Sequence, residues 1–581
     1  MAKFYPVKDQ SLLKLPSQPL SEYPRPGLKR DSYLCLNGQW DCEITKSEKI
    51  PETFSLKIIV PYAVESPLSG LNKPIQAADY IWYRTKVTLP AGFRKKHTFI
   101  NFDGVDQEAT VYIDGKEIIS HLGCYTRFQA EIPPETHDEF ELLVRVRDVT
   151  DGSYHTVGKQ TNDSSHGWFY SPSSGIVKPV WIEAVPETYI KHIFFTPLFD
   201  EMKVKIRIEA EGSGEAELKI DNQMAKIPVN TETTVSLQTF FPWSPEHPYL
   251  YDVQVRFQED QVSSYFGMRK IEACREGKRP GLYLNNRKIF LTGLLDQGYY
   301  FLGDLTPKSY ADYENDIKNV KGLGFNCLRK HVKLEEDLYY YYADKYGLLL
   351  IQDFPNGGRP YVFWHVVKPR LFPFLNHDVF SFSYKYLSRQ DKEGREEFYQ
   401  EGDEYLKLLY NHPSIIVYTI FNEGWGEFDG RKAYIRFKSQ DPSRLFDTAS
   451  GWYDCPVSDV YSIHAYISTH HARYDRKKHR PYILTEIGGA ALKVPEHFFF
   501  AKVYGHHICK TKADLTKRYQ RLYRKDIIPL AAKGQLSAAI YTQLADCETE
   551  CNGLYSFDRA VLKIDPEIIR EINADLKEKG K

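Results

Sequence analysis

The stretch SIIVYTIFNEGWG, residues 414–426, decides how this chain is read. Ser414 to Ile420 is an unbroken apolar run rich in β-branched residues, the pattern of a strand covered on both faces. It ends in Asn422 and Glu423, followed by glycines. A carboxylate at the end of such a strand is expensive to bury unless it is paired or hydrogen-bonded. YILTEIGG, residues 482–489, repeats the design and leaves Glu486 in the equivalent place. LLLIQ (348–352) runs into Asp353, FNCL (325–328) runs into Arg329 and His331, and AIYT (539–542) comes last. KIFL (288–291) reads as the first strand of the series. Helical spacing fills Tyr310 to Leu323, Glu335 to Tyr346 and Glu396 to Leu409. Strands alternating with helices over about 300 residues predict an α/β unit of the size of a (β/α)8 TIM barrel. Periodicity leaves the strand count open, and Leu445 to Ser462 reads either way. In a barrel, the polar residues that follow the strands line the catalytic rim. Those are Arg329, His331, Asp353, Asn422, Glu423, His464 and Glu486.

Upstream the pattern is β. YIWYRTKVT (80–88), ELLVRV (141–146) and VWIE (180–183) are strand runs, and TVYI-DG-KEII (110–119) is a hairpin with a favoured turn dipeptide. VKIRIE (204–209), EAELKI (215–220) and YDVQVR (251–256) alternate cleanly. Short strands between Gly, Pro and Asp turns predict sandwiches. The expected division is a jelly-roll sandwich over 1–185, an immunoglobulin-like β-sandwich over 186–273 and the barrel over 274–581.

The 581 residues carry a formal net charge of -1, which gives no broad basic surface for nucleic acid. The one dense basic run, RYDRKKHR at 473–480, reads as a solvated edge. No run of 18 apolar residues occurs, so no transmembrane span is expected, and no secretory signal is evident, which makes the cytoplasm the default. Nine cysteines do not look like a disulfide scaffold. Cys547 and Cys551 lack a matching ligand pair, so no metal site is assigned. The 42 Tyr, 33 Phe and 8 Trp supply core and also faces on which sugars stack.

Two rim carboxylates from different strands suit glycosyl transfer, which needs a proton donor and a second carboxylate. At about 5 Å separation the second is a nucleophile and the anomeric configuration is retained. Like-charge repulsion would help keep the acid protonated. The plain alternative for either glutamate is an ion pair or a helix cap.

Further motifs make the reading specific. Asn37-Gly38-Gln39-Trp40, Trp82-Tyr83-Arg84, Phe102-Asp103-Gly104-Val105, Tyr112-Ile113-Asp114-Gly115, Ser174-Gly175-Ile176 and Pro179-Val180-Trp181 fall in the first unit. Phe266-Gly267-Met268-Arg269 closes the second, and NEGWG and TEIGG lie in the third. Their order and spacing resemble glycoside hydrolase family 2, the family of β-galactosidases, β-glucuronidases and β-mannosidases. The resemblance implies a retaining exo-β-glycosidase acting on a small oligosaccharide or β-glycoside, with Glu423 as acid/base and Glu486 as nucleophile. It implies that Asn422 meets the sugar 2-hydroxyl, that Arg329 holds the nucleophile and that His331 and Asp353 line the sugar subsite. His464 and Tyr466 are expected to bind substrate or orient Glu486, and Trp364 and Trp425 are candidate sugar platforms. The aromatic segment from Phe354 to Tyr384 is a candidate lid. No cofactor is implied. Some members bind Mg2+ near the site, and this sequence shows no ligand set that assigns one.

The sugar is less legible. Thr292 to Gly298 lacks the histidine-rich segment of large β-galactosidases, and the final block TQLADCETECNGLYSFDR has no clear Asn-x-Lys pair of the kind glucuronidases use for a uronate carboxylate. The expected activity is β-galactosidase-like, with β-glucuronidase or another β-glycosidase as the alternative. Asp546, Glu548, Asn552 and Asp558 in that block line the pocket or tie down its loop. A non-catalytic carbohydrate-binding protein would lack one carboxylate, and both are present. A homo-oligomer through the sandwich units is compatible with the sequence.

Overall fold

Alternating side chains build the first two units as sandwiches. In the hairpin at the DG turn, Glu108–Ile113 pairs antiparallel with Lys116–Leu122, and Asp114 and Gly115 turn it with φ of 47° and 76°. Positive φ at both positions matches the twist of the flanking strands. A computed structural model describes residues 9–162, 167–274, 280–358, 384–466, 479–498, 500 and 502–580. Within it, that hairpin is the edge of a six-stranded sheet. The sheet faces a four-stranded one that contains Val180–Val185 and His97–Phe102. Trp40, Tyr83, Ile100, Phe102, Val111 and Val144 fill the space between them.

The second sandwich has a three-stranded and a four-stranded sheet. Tyr251–Phe257 alternates buried and exposed at every position, so one face, with Val253 and Val255, enters the core beside Ile206 and Leu218.

The third unit is a parallel eight-stranded sheet. Its strands are β1 (Leu291–Asp296), β2 (Cys327–Lys330), β3 (Leu349–Asp353), β4 (Ile415–Asn422), β5 (Leu445–Ser450), β6 (Tyr461–Ala465), β7 (Tyr482–Gly488) and β8 (Ala538–Thr542). The order β5-β4-β3-β2-β1-β8-β7-β6 wraps almost fully round. Between β5 and β6, Ser462 donates to Asp447 at 3.0 Å. The ambiguous stretch from Leu445 to Ser462 thus holds β5 and the start of β6.

One expectation is corrected here. KIFL is not the first barrel strand. Asn285 and Asn286, with φ of 52° and 64°, fold Arg287–Ile289 back on Gly281–Leu284 as a hairpin. That hairpin packs Leu282 and Leu284 under Leu291, Leu349 and Ile483 at the closed end of the barrel. β1 starts only at Leu291. Among the described residues, no helix is long and apolar enough to cross a membrane. Within the basic run, Arg480 is buried and paired with Asp454 at 2.7 Å, so this end of the run is not a solvated edge.

Arg269 explains why its motif closes the second sandwich. Its guanidinium donates to the carbonyls of Pro413, Ser443 and Ile415 at 3.1, 2.8 and 2.9 Å. These carbonyls lie at the entry to β4 and β5, so Arg269 bolts the sandwich to the end of the barrel opposite the rim. Arg269→Met leaves all three without that donor. The expected cost is about 3 kcal/mol, read as a lower thermal unfolding midpoint of the barrel transition.

Candidate active site

Arg329 on β2 is fully buried and organises the mouth of the barrel. Its Nε and Nη2 fork onto the two oxygens of Asp353 at 3.0 and 2.8 Å. Nη1 donates to Glu486 at 3.1 Å and to the Thr485 carbonyl at 3.2 Å, and Nη2 also reaches Asn422 Oδ1 at 2.8 Å. Such a fork uses the planar guanidinium in a way lysine cannot. Burial opposes its charge, but Asp353 and Glu486 outweigh burial and hold its pKa above the usual range. Burial likewise works against ionised Asp353, and Arg329 and His331 overcome it, so this carboxyl stays low. His331 Nδ1 lies 2.8 Å from Asp353.

The two rim glutamates face one another. Their carboxylate oxygens and the His464 ring nitrogens come within 4.8 Å of one another. His464 Nδ1 lies 2.7 Å from Glu423 and its Nε2 lies 3.5 Å from Glu486. Tyr466 Oη donates to Glu423 at 3.0 Å and to Glu486 at 2.8 Å. Burial alone would raise Glu423. Hydrogen bonding to His464, the fields of His464 and Lys159 and the Tyr466 hydroxyl reverse this and bring it to about 2. Glu486 is also lowered: burial raises it, and His464, His331 and Arg329 more than compensate. The expected protonating effect of like charge is therefore outweighed. These donor atoms point at each other and at Arg329 and Tyr466, so they do not fit a shared metal ion.

The glycines of both motifs have local causes. Glu423 itself has φ of 56°, and Gly424 continues with φ of 80°. A Cβ on Gly424 would meet the Tyr453 ring at 2.1 Å. The left-handed step turns Glu423 back across the mouth after β4 ends, and a non-glycine residue in this region is a strained conformation that surrounding contacts must hold. Gly488, with φ of 83°, likewise lies where a Cβ would meet the Tyr541 ring at 2.4 Å.

The sequence-predicted residues Arg329, His331, Asp353, Asn422, Glu423, His464, Tyr466 and Glu486 all meet in this one cluster. Trp425 does not present an open face. It is 6% exposed and packs edge-on to Phe169 at 5.3 Å, with Val157 and Val332. Trp364 and residues 359–383 of the predicted lid lie outside the described residues.

Several neighbours were not anticipated. Ser450 touches His464 and Thr485 at 3.2 and 2.8 Å, and Thr542 reaches Glu486 at 3.5 Å. Their position at the ends of β5, β7 and β8 was the available signal. His506 stacks on Tyr466 with ring centres 3.8 Å apart, and half-buried Trp452 stands edge-on to His464 at 5.7 Å. No periodicity marks either residue.

A segment of the first sandwich also reaches the rim. Val157 and Gly158 donate to the Asn356 carbonyl at 3.1 and 2.8 Å, beyond β3. Tyr170 Oη donates to Glu550 at 2.5 Å and Ser171 N to Glu548 at 2.7 Å, beyond β8. The sandwich is thus pinned at two separate points of the mouth. In the final block, Glu548 anchors this segment, while Asp546 accepts from Gly553 N at 2.9 Å and Asn552 donates to Glu550 at 2.9 Å. Asp558 accepts from Ser556 at 2.6 Å. These residues tie the loop down.

Comparison with known proteins agrees with this architecture. Residues 45–170 match the galactose-binding-like domain model of glycosyl hydrolase 2, residues 188–269 match the model named glycosyl hydrolases family 2, and residues 278–526 match that family's TIM barrel domain. The chain belongs to glycosyl hydrolase family 2. It is 25% identical over 300 residues to a β-galactosidase of Thermoanaerobacter pseudethanolicus, covering 47% of this chain and 39% of that one. It is 24% identical over 438 residues to a putative β-glucuronidase of Formosa agariphila, covering 70% and 37%. The alignments thus span about two fifths of the length of these curated relatives. Among solved structures, a β-D-glucuronidase of Dictyoglomus thermophilum superposes with a TM-score of 0.74 at 18% identity, covering 95% of this chain and 98% of that one. A β-galacturonidase of Eisenbergiella tayi bound to galacturonate gives 0.70 at 20% identity, covering 96% and 99%.

Gly424→Ala tests the local geometry. It should lower the unfolding midpoint by the equivalent of about 2 kcal/mol. The shared hydrogen bond from Tyr466 to Glu423 and Glu486 should be broken in a crystal structure of the variant.

Proposed function

We propose that this chain is a retaining exo-β-glycosidase whose terminal sugar is a hexuronic acid. The observation that carries the retaining mechanism is the approach of the Glu423 and Glu486 oxygens within 4.8 Å. That spacing suits direct attack by one carboxylate and is shorter than the roughly 6.5–9.5 Å separation that inversion uses. Glu486 is the nucleophile. Arg329, Tyr466 and Thr542 hold its charge and aim it, at 3.1, 2.8 and 3.5 Å. Glu423 is the acid/base. It gives its proton to the glycosidic oxygen as Glu486 bonds to the anomeric carbon and the aglycone leaves. It then takes a proton from water, whose oxygen bonds to the anomeric carbon and releases Glu486. Asn422, oriented by Arg329, is placed to meet the sugar 2-hydroxyl. The two attachments of the sandwich segment to the rim, beyond β3 and beyond β8, support action on chain ends.

The sugar reading moves from galactoside to uronide on the comparisons. The curated relatives divide between β-galactosidases and β-glucuronidases. Full-length structural similarity falls on glucuronidases and a galacturonidase. A panel of 4-nitrophenyl β-glucuronide, β-galacturonide, β-galactoside, β-glucoside, β-mannoside and β-fucoside tests it. The uronides should lead by kcat/KM; a neutral glycoside in first place would reject the uronide reading.

The mechanism has its own test. Glu486→Gly should lose nearly all turnover, and azide should restore it as the α-glycosyl azide. Glu423→Ala with azide should give the β-glycosyl azide from an activated substrate. Exchanged products would reverse the two roles.

The pH dependence follows from the hydrogen bonds. The competent form carries a proton on Glu423 and a charge on Glu486, and the two titrate as a pair. Both carboxyls are held low, so the proton is lost as pH rises and the kcat/KM optimum should fall on the acid side of neutrality. Tyr466→Phe removes a donor from each carboxylate and raises both pKa values. Both limbs of the profile should therefore move to higher pH. Limbs that stay in place would remove Tyr466 from this role.

A further inference from the structure

The uronide reading requires a cation for the sugar carboxylate, and the loop after β8 offers none of the expected kind. Four basic groups close to the strand ends are already committed. Arg329 is shared by Asp353, Glu486 and Asn422. Lys330 lies between Asp296 and Glu335 at 2.6 and 2.7 Å. Lys333 is held by Glu335 at 2.9 Å and by the Leu305 carbonyl at 2.7 Å. Lys563 binds Asp546 at 2.5 Å and the Cys551 carbonyl at 3.0 Å.

Lys159 is different. It belongs to the sandwich segment that crosses to the rim, directly after the two residues bonded to Asn356. Its carbonyl accepts from Tyr170 N at 2.9 Å, which fixes its backbone next to the Glu550 anchor. It is half-buried, and its ammonium rests 5.2 Å from the Phe169 ring centre. Phe169 in turn abuts Trp425, two residues beyond Glu423, and shares a cluster with Val332, next to His331. Among the described residues, no carboxylate forms an ion pair with it. Its charge is felt at Glu423, His331 and Glu550. Those three groups follow β4, β2 and β8 on the rim.

We propose that Lys159, brought to the barrel rim by the first sandwich, is the residue that recognises the carboxylate of the terminal uronic acid. The proposal rests on the uronide reading and adds to it a specificity residue from a different domain. A half-buried ammonium with no ion-pair partner among the described residues can take a sugar carboxylate in a charge-assisted hydrogen bond. An equatorial or axial 4-hydroxyl does not alter this contact, so glucuronide and galacturonide are both compatible with it. The Phe169 face below the ammonium fixes the side chain through cation–π contact, which limits the ordering cost on binding.

The test compares wild type, Lys159→Met and Lys159→Arg on 4-nitrophenyl β-glucuronide, β-galacturonide, β-glucoside and β-galactoside. Each enzyme is assayed at its own optimum pH, because Lys159 also acts on Glu423. In Lys159→Met the ratio of kcat/KM on uronide to that on the matching neutral glycoside should fall by about 10- to 100-fold, the value of one charged hydrogen bond. The loss should appear mainly in KM, as expected for a contact made equally in ground and transition states. Lys159→Arg should retain most of the uronide preference. An equal loss on both substrate types, or an unchanged ratio, would overturn the assignment. Failure of the uronide reading itself is seen separately, as a wild-type enzyme that favours neutral glycosides, and it removes the assignment as well. Thermal unfolding of both variants identifies a folding defect, and the arginine variant keeps the test decisive if methionine unfolds the segment.

Discussion

The structure of the barrel mouth depends on the buried Arg329. Three carboxylates, Asp353, Glu423 and Glu486, crowd the carboxyl ends of β3, β4 and β7, and two of them, Asp353 and Glu486, are almost fully buried. A carboxylate removed from water costs several kcal/mol, about 3–5 kcal/mol when its partner is lost. Arg329 neutralises two of them directly and braces Asn422 as well. Its planar fork also dictates angle. Asp353 fixes the guanidinium plane, the plane fixes Glu486, and Asn422 is set from the same nitrogen that meets Asp353. A point charge of equal sign would balance the electrostatics without setting any of these directions.

A second group of contacts works against full neutralisation. His464 and Tyr466 each touch both glutamates, so the pair is linked through shared donors as well as through its own repulsion. Ser450 and Thr485 back His464 from β5 and β7. Any proton on one glutamate must rearrange bonds seen by the other. This coupling makes the site a single titrating unit, and it leaves the choice of protonated partner sensitive to what binds above it.

Much of this was legible in the sequence because it follows from strand geometry. Apolar runs ending in Arg329, Asp353, Glu423 and Glu486 identify a barrel rim, and parallel strands bring their ends together. Legibility failed where turn chemistry or tertiary contact decides. KIFL has strand composition, but the Asn285-Asn286 turn assigns it to a hairpin at the closed end. Trp425 has the composition of a sugar platform, yet the incoming Phe169 covers it. His506 and Lys159 carry no periodic mark, because their place depends on where loops from other elements settle. The glutamate pKa balance is not legible from charge alone, since His464, Tyr466 and Arg329, which outweigh the like-charge repulsion, come from other strands and loops.

The bridge from the first sandwich has a topological consequence. It is fastened beyond β3 at Asn356 and beyond β8 at Glu548 and Glu550. Two loops on different sides of the rim, after β3 and after β8, are thereby held to one and the same unit outside the barrel. The sandwich, which supplies neither glutamate, therefore couples the two sides of the mouth: a shift of one unit against the other carries the loops after β3 and β8 together.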